Sequence, residues 1–109
     1  MNLSADFIEG VREAGEDDWV QFIDLGHLLI EESGTNERLI ERGVDAAAEL
    51  IERGIVRPGQ LTEHGFQPWT CSKSEAIDQI REMAQEISKT QSIFRPGDIC
   101  WFDVITDES

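Results

Sequence analysis

The chain predicts an α+β fold: a single helix-rich domain over residues 1–109, with about four helices and a small sheet. Three observations predict it. Four segments place apolar residues at helical spacing, β-favouring runs lie beside two Pro-Gly dipeptides, and 109 residues are enough for one core without disulfide staples. The hydrophobic fraction is 39%, and because it falls in periodic runs a folded chain is expected despite the high charge.

Residues 3–14 set Leu3, Phe7, Val11 and Ala14 on one face, which suits a short helix starting after Ser4 and weakened by Gly10 and Gly15. Glu16, Asp17 and Asp18 then supply acid for the N-terminal end of a second helix, where carboxylates meet free N–H groups and the positive dipole. That helix is expected to run to about residue 33. Trp19, Val20, Phe22, Ile23, Leu25, Leu29 and Ile30 cover over half its circumference, so it is expected to be the most buried helix. Gly26, in its apolar face, suggests close approach by another helix backbone, and His27 at the edge reads as a packed side chain.

A turn at Gly34-Thr35-Asn36 leads to a third helix over residues 37–53, with Thr35 or Asn36 as its cap. Leu39, Ile40, Val44, Ala47, Leu50 and Ile51 form its apolar face. Glu37, Glu41, Asp45 and Glu49 recur every four residues on the opposite side, with Arg42 and Arg53 placed to pair with Asp45 and Glu49. Gly54-Ile55 matches a left-handed helix cap with its apolar contact.

Beyond it, Ile55-Val56-Arg57 favours a strand that Pro58-Gly59 should end in a turn. Residues 61–69 read as irregular, with at most a short edge strand, because Pro68 cannot donate to a ladder. Ser72 and Glu75 have the spacing of a capping box that opens a fourth helix to about residue 89. After a turn at Arg95-Pro96-Gly97-Asp98, residues 99–105 are the best strand, expected to be covered on both faces, with Trp101 in the core. Three helices followed by short strands resemble part of a winged-helix domain, although a further helix separates the two β-favouring segments.

Charge narrows the function classes. Twenty-three Asp and Glu against nine Lys and Arg give a formal charge of −14. Fourteen of the acids and only four arginines fall in residues 1–54. Phosphate binding needs clustered Lys and Arg, so no nucleic-acid partner is expected, whereas a basic protein surface would be attracted. No segment approaches the ~18 apolar residues of a membrane span, and no signal peptide is visible, so no membrane contact and a cytoplasmic location with reduced thiols are expected.

Chemistry finds no foothold. There is no glycine-rich phosphate loop, no C-x-x-C pair and no EF-hand series, and His27, His64, Cys71 and Cys100 never fall at ligand spacing. The expectation is a protein that is not an enzyme and holds neither cofactor nor metal. Among the aromatics, Trp69 beside Pro68 reads first as a core residue plugging the sheet against a helix; the alternative is an interface anchor, since Trp is enriched at binding hot spots.

The run Leu50-Ile51-Glu52-Arg53-Gly54-Ile55-Val56-Arg57-Pro58-Gly59-Gln60-Leu61-Thr62-Glu63-His64-Gly65-Phe66-Gln67-Pro68-Trp69, followed after a helix by Gly97-Asp98-Ile99-Cys100-Trp101-Phe102-Asp103, resembles a group of small acidic bacterial proteins. Several of these are similar to immunity proteins of contact-dependent growth inhibition and related polymorphic toxin systems. The resemblance covers roughly the C-terminal 60 residues and rests on Gly, Pro, Trp and apolar positions. It therefore implies a shared fold and transfers no site residue.

Together with the charge, the resemblance leads to the expectation of a cytoplasmic immunity protein that neutralises a cognate toxin, of which a nuclease fits the charge best. Carboxylates would stand in for phosphate oxygens in the toxin's basic cleft. Candidate contacts are Glu37, Glu41, Asp45 and Glu49 on the third helix, the Glu16-Asp17-Asp18 cluster, and Trp69. The alternative is a winged-helix-like regulatory or adaptor module that docks on a protein through residues 55–69.

Overall fold

Ser4 starts the first helix as its sequence position suggests: its Oγ accepts the Phe7 N–H at 3.0 Å, and α1 covers Ala5–Asp17. This is a computed structural model, and it describes residues 3–105; the acidic end at 106–109, expected to fray, lies outside them. Phe7 and Val11 of α1 are buried, with Leu3 and Ala14 packed against the same core. The helix passes through Gly15, where a Cβ would lie 2.4 Å from the Val104 side chain, so the glycine admits close approach to the sheet.

The second helix is shorter than expected. The chain turns extended at Asp18, forms the short strand β1 (Val20–Gln21), and only then enters α2 (Phe22–Ser33). Pairing decides this: Val20 and Gln21 align antiparallel with Phe102 and Trp101, and Val20 is buried in that register. Glu16 and Asp17 consequently end α1, where the helix dipole disfavours carboxylates, and do not open α2. Asp24 does that work by accepting the Gln21 N–H at 2.8 Å.

The most buried helix is α3 (Leu39–Glu52), not α2. It packs against α2 on one side, against α4 on the other and over a strand of the sheet, and it buries eight residues against four in α2. Neither Thr35 nor Asn36 caps it. Thr35 Oγ1 accepts the Glu37 N–H at 3.1 Å within the turn, and Arg38 adopts a left-handed conformation (φ 53°) before the first helical residue. The other end closes as expected: with Gly54 at φ 71°, the Ile55 N–H reaches Leu50 O and the Gly54 N–H reaches Ile51 O, each at 3.0 Å.

Gly26 of α2 does not meet a helix backbone. Its face, with Gly43 of α3, forms a slot for the ring of Phe94, which arrives from the irregular segment before the last strand. Phe94 is 3% exposed and its ring centroid lies 5.0 Å from that of Phe22. This plug ties residues 89–100 to the helices.

The sheet has four antiparallel strands in the order β1-β4-β2-β3, where β2 is Val56–Thr62, β3 is Gly65–Pro68 and β4 is Trp101–Val104. Pro58-Gly59 is not a turn; β2 runs through it. The Pro58 carbonyl accepts the Trp69 N–H at 3.0 Å, so its missing N–H faces the β3 side and leaves the bonding to β4 intact. Gly59 is required, since a Cβ there would lie 2.4 Å from Gln67 O and 2.6 Å from the Phe66 ring. β3 is the edge strand that Pro68 suggested. The hairpin joining it to β2 turns at Glu63-His64.

The fourth helix, α4 (Lys73–Ser88), opens with the Ser72 hydroxyl accepting the Glu75 N–H at 3.2 Å and buries Ala76, Ile80 and Ala84. Among the described residues, four helices and one antiparallel sheet make the α+β architecture expected. The winged-helix likeness is confined to the first three helices and the β2–β3 hairpin after them; α4 and β4 are additional, and β4 lies between β1 and β2.

Candidate partner-binding site

The N-terminal end of α3 and the C-terminal half of α4 form the walls of an open groove of about 770 Å³. Its floor is apolar, from Ile40 and Val44 of α3 and Ala84 of α4, each buried. Ala84 opposite these branched side chains leaves the floor wide. Of the four acids expected to act together, Glu41 and Asp45 rise along the α3 wall, because positions four apart stack on one face of a helix, and Glu37 lines the groove from the turn before α3. Glu49, the fourth, lies outside the groove and pairs with Arg53 at 2.7 Å.

Two groove acids are partly neutralised. Arg38 Nε donates to Glu41 Oε2 at 2.6 Å, which its left-handed backbone allows, and Arg81 of α4 reaches across to Asp45 at 3.3 Å. Among the described residues Glu37 has no cationic partner. All four side chains in the two pairs are about half exposed or more, so each pair contributes only ~0.2–1 kcal/mol and its arginine is easily drawn away.

Arg42 is absent from this set. Instead of pairing with Asp45, it turns back to the end of α2, where its guanidinium donates to Glu37 O at 2.6 Å, Ser33 Oγ at 2.8 Å and Thr35 O at 3.2 Å, and lies 3.4 Å from Leu29 O. A cation placed there serves the carbonyls of the turn that follows α2 and complements the negative dipole at that helix's C-terminus. It also fixes the turn that carries Glu37 and Arg38 to the groove mouth.

The remaining expected contacts lie elsewhere. Glu16 and Asp18 are exposed at the end of α1, with Asp18 Oδ1 accepting the Trp19 N–H at 2.8 Å; the side chain of Asp17 lies outside what is described. Trp69 is half-buried, packs against the core, and borders a small cleft with Ile51, Cys71 and Lys73. It does not join the groove.

The potential ligands are scattered. His27 is exposed rather than packed, and His64 is exposed in the β2–β3 turn. Cys71 is half-buried, whereas Cys100 is wholly buried, and desolvation pushes its thiol far above the ordinary range despite a hydrogen bond from the Gly59 backbone. Among the described residues no three His, Cys, Asp or Glu gather in a way that could hold a metal ion. Among the same residues, no helix is long and apolar enough to cross a membrane.

Comparisons with protein-family models, with curated proteins and with solved structures found no match for this chain.

Two tryptophans lie outside the core that the sequence predicts for them. Trp19 and Trp101, both expected in the core, are only half-buried and lie outside the core cluster. In β4, Phe102 is buried against the helices while Trp101 and Asp103 point to the opposite face. Asp103 was the available signal: one charge alternating with apolar residues marks a strand with one face uncovered.

Proposed function

We propose that this chain is an immunity protein that neutralises a bacterial toxin by laying an acidic surface over its basic active-site cleft, the toxin being a nuclease. The observation that carries the reading is the α3–α4 groove, where carboxylates are held by exposed, exchangeable arginines above an apolar floor. A basic element of the toxin would displace Arg38 and Arg81 and take Glu41, Asp45 and the unpaired Glu37 as its counter-ions. Ile40 and Val44 would receive its apolar stem, as Lys and Arg side chains bury their methylenes while keeping the charge outside. The formal charge of −14 would speed encounter and make it sensitive to salt.

The test is growth protection. Where a toxin domain is encoded beside this gene, a host expressing that domain should survive when this chain is co-expressed. Glu41→Lys with Asp45→Lys should slow association on the order of tenfold at low salt, because exposed charges act mainly on encounter rate. The exchange removes two exposed pairs worth at most ~1 kcal/mol each, so the variant should remain folded. Absence of protection, or unchanged rates in the folded variant, would refute the reading.

A further inference from the structure

We infer that the outer face of the sheet is a second docking surface, built to take a basic polypeptide segment over the rings of Trp19, Phe66 and Trp101. The inference stands independently of the α3–α4 groove. Strand register defines the face. Gln21, Trp101, Gly59 and Pro68 occupy one row across the sheet, and Asp103 with Arg57 occupies the next. Side chains alternate between faces along each strand, so Arg57, Leu61, Phe66, Trp101 and Asp103 point one way, while Val20, Val56 and Phe102 point into the core shared with all four helices. No described helix covers the outward side.

The outward side is aromatic. Trp19 and Phe66 stack with centroids 6.2 Å apart and ring planes 10° from parallel, and Phe66 folds over Gly59, the one position in the centre of the face without a side chain. Leu61 beside them is 37% exposed. None of Trp19, Phe66 or Trp101 belongs to the core or packs against it. Three large rings, each partly exposed and none packed against the core, together with exposed Leu61 give the uncovered face of the sheet the apolar character of an interaction site.

Charge selects the occupant. Asp18 adjoins Trp19, Glu63 adjoins Leu61 at the hairpin turn, and Asp103 stands within the face; Arg57, bound to Asp103 at 2.8 Å, is the cation among them. That cation displays the recognition chemistry: its guanidinium carbon lies 5.9 Å from the Phe66 centroid, over the ring, while the same group pairs with a carboxylate. Further Arg or Lys side chains from a partner can repeat the arrangement on Trp19 and Trp101, with Asp18 and Glu63 as counter-charges. A second copy of this chain fits poorly, since two molecules of charge −14 repel.

The three tryptophans provide their own control, because Trp69 lies on the core side of the sheet. The protein, labelled with ¹⁵N, is titrated with the blocked peptide Arg-Leu-Arg-Leu-Arg-Leu and, separately, with Glu-Leu-Glu-Leu-Glu-Leu. The expected result is a saturable shift of the Trp19 and Trp101 indole N–H signals by the basic peptide alone, with Trp69 unmoved. Asp18→Lys with Glu63→Lys, both exposed, should weaken that binding at least tenfold while a cooperative thermal melt shows the variant still folded. The inference is overturned if the basic peptide shifts only groove residues such as Arg81, if both peptides bind alike, or if the folded charge variant binds as tightly as the parent. Concentration-dependent shifts of Trp19 and Trp101 without peptide would equally overturn it, by assigning the face to a second copy.

Discussion

Adding a single methyl group to Gly43 should destabilise the protein even though it improves the helix. Exchanging Gly for Ala in a helix interior gains about 1 kcal/mol in propensity. At Gly43, however, the new Cβ would lie 2.5 Å and 2.7 Å from two atoms of the Phe94 ring. That ring is 3% exposed and confined by Phe22, so it cannot swing into solvent. Overpacking of this kind costs about 1–3 kcal/mol, which outweighs the propensity gain in most of its range and leaves a net loss of up to ~2 kcal/mol.

Gly10 of α1 is the matched control. A Cβ there would meet Leu28 Cδ2 at 2.7 Å, but that atom ends a flexible, half-buried side chain that can rotate away. Gly10→Ala should therefore keep most of the propensity gain. Equilibrium urea unfolding decides: the midpoint should rise for Gly10→Ala and fall for Gly43→Ala, by roughly 0.5 M per kcal/mol at a typical slope. Combining Gly43→Ala with Phe94→Leu should recover part of the loss through a coupling of ~0.5–3 kcal/mol. If Gly43→Ala raises the midpoint as much as Gly10→Ala does, Phe94 does not occupy the slot.

Arg42→Lys should lower stability by about 1 kcal/mol or more, because a single ammonium cannot replace a planar fork that serves two backbone carbonyls and Ser33, and thermal melts would register it. In the native protein a thiol reagent should modify Cys71 quickly and Cys100 only after unfolding, which counting labelled cysteines by mass would verify. Because burial raises the Cys100 thiol above its ordinary value near 9, the fold favours the protonated form; stability should hold below that pH and decline as pH rises past it, an effect that Cys100→Ala removes. Duplex DNA and RNA should show no gel shift at micromolar protein and physiological salt, and a shift would contradict the charge argument.

Local rules legible in the sequence determined much of this protein. Ser4 and Ser72 start helices and Gly54 ends one, since a cap depends on a few adjacent residues. The i, i+4 spacing of Glu41 and Asp45 likewise places them on one wall, because helical geometry alone dictates it, whereas Glu37 joins them from the turn before the helix.

Tertiary structure decided the rest through partners distant in sequence. Trp19-Val20-Gln21 has helical periodicity, yet pairing with Phe102 and Trp101, about 80 residues away, makes Val20–Gln21 a strand. Pro58-Gly59 has turn chemistry, yet β2 continues because its missing donor points away from β4 and Phe66 occupies the space over the glycine. Arg42 left the acidic stripe for the end of α2, where several acceptors outcompete one carboxylate. Arg81, from another helix, neutralised Asp45 in its place. Which face of β4 meets water was likewise beyond local pattern, because a sheet's exposed side is set by where the helices pack, and here all four share the core behind Phe102.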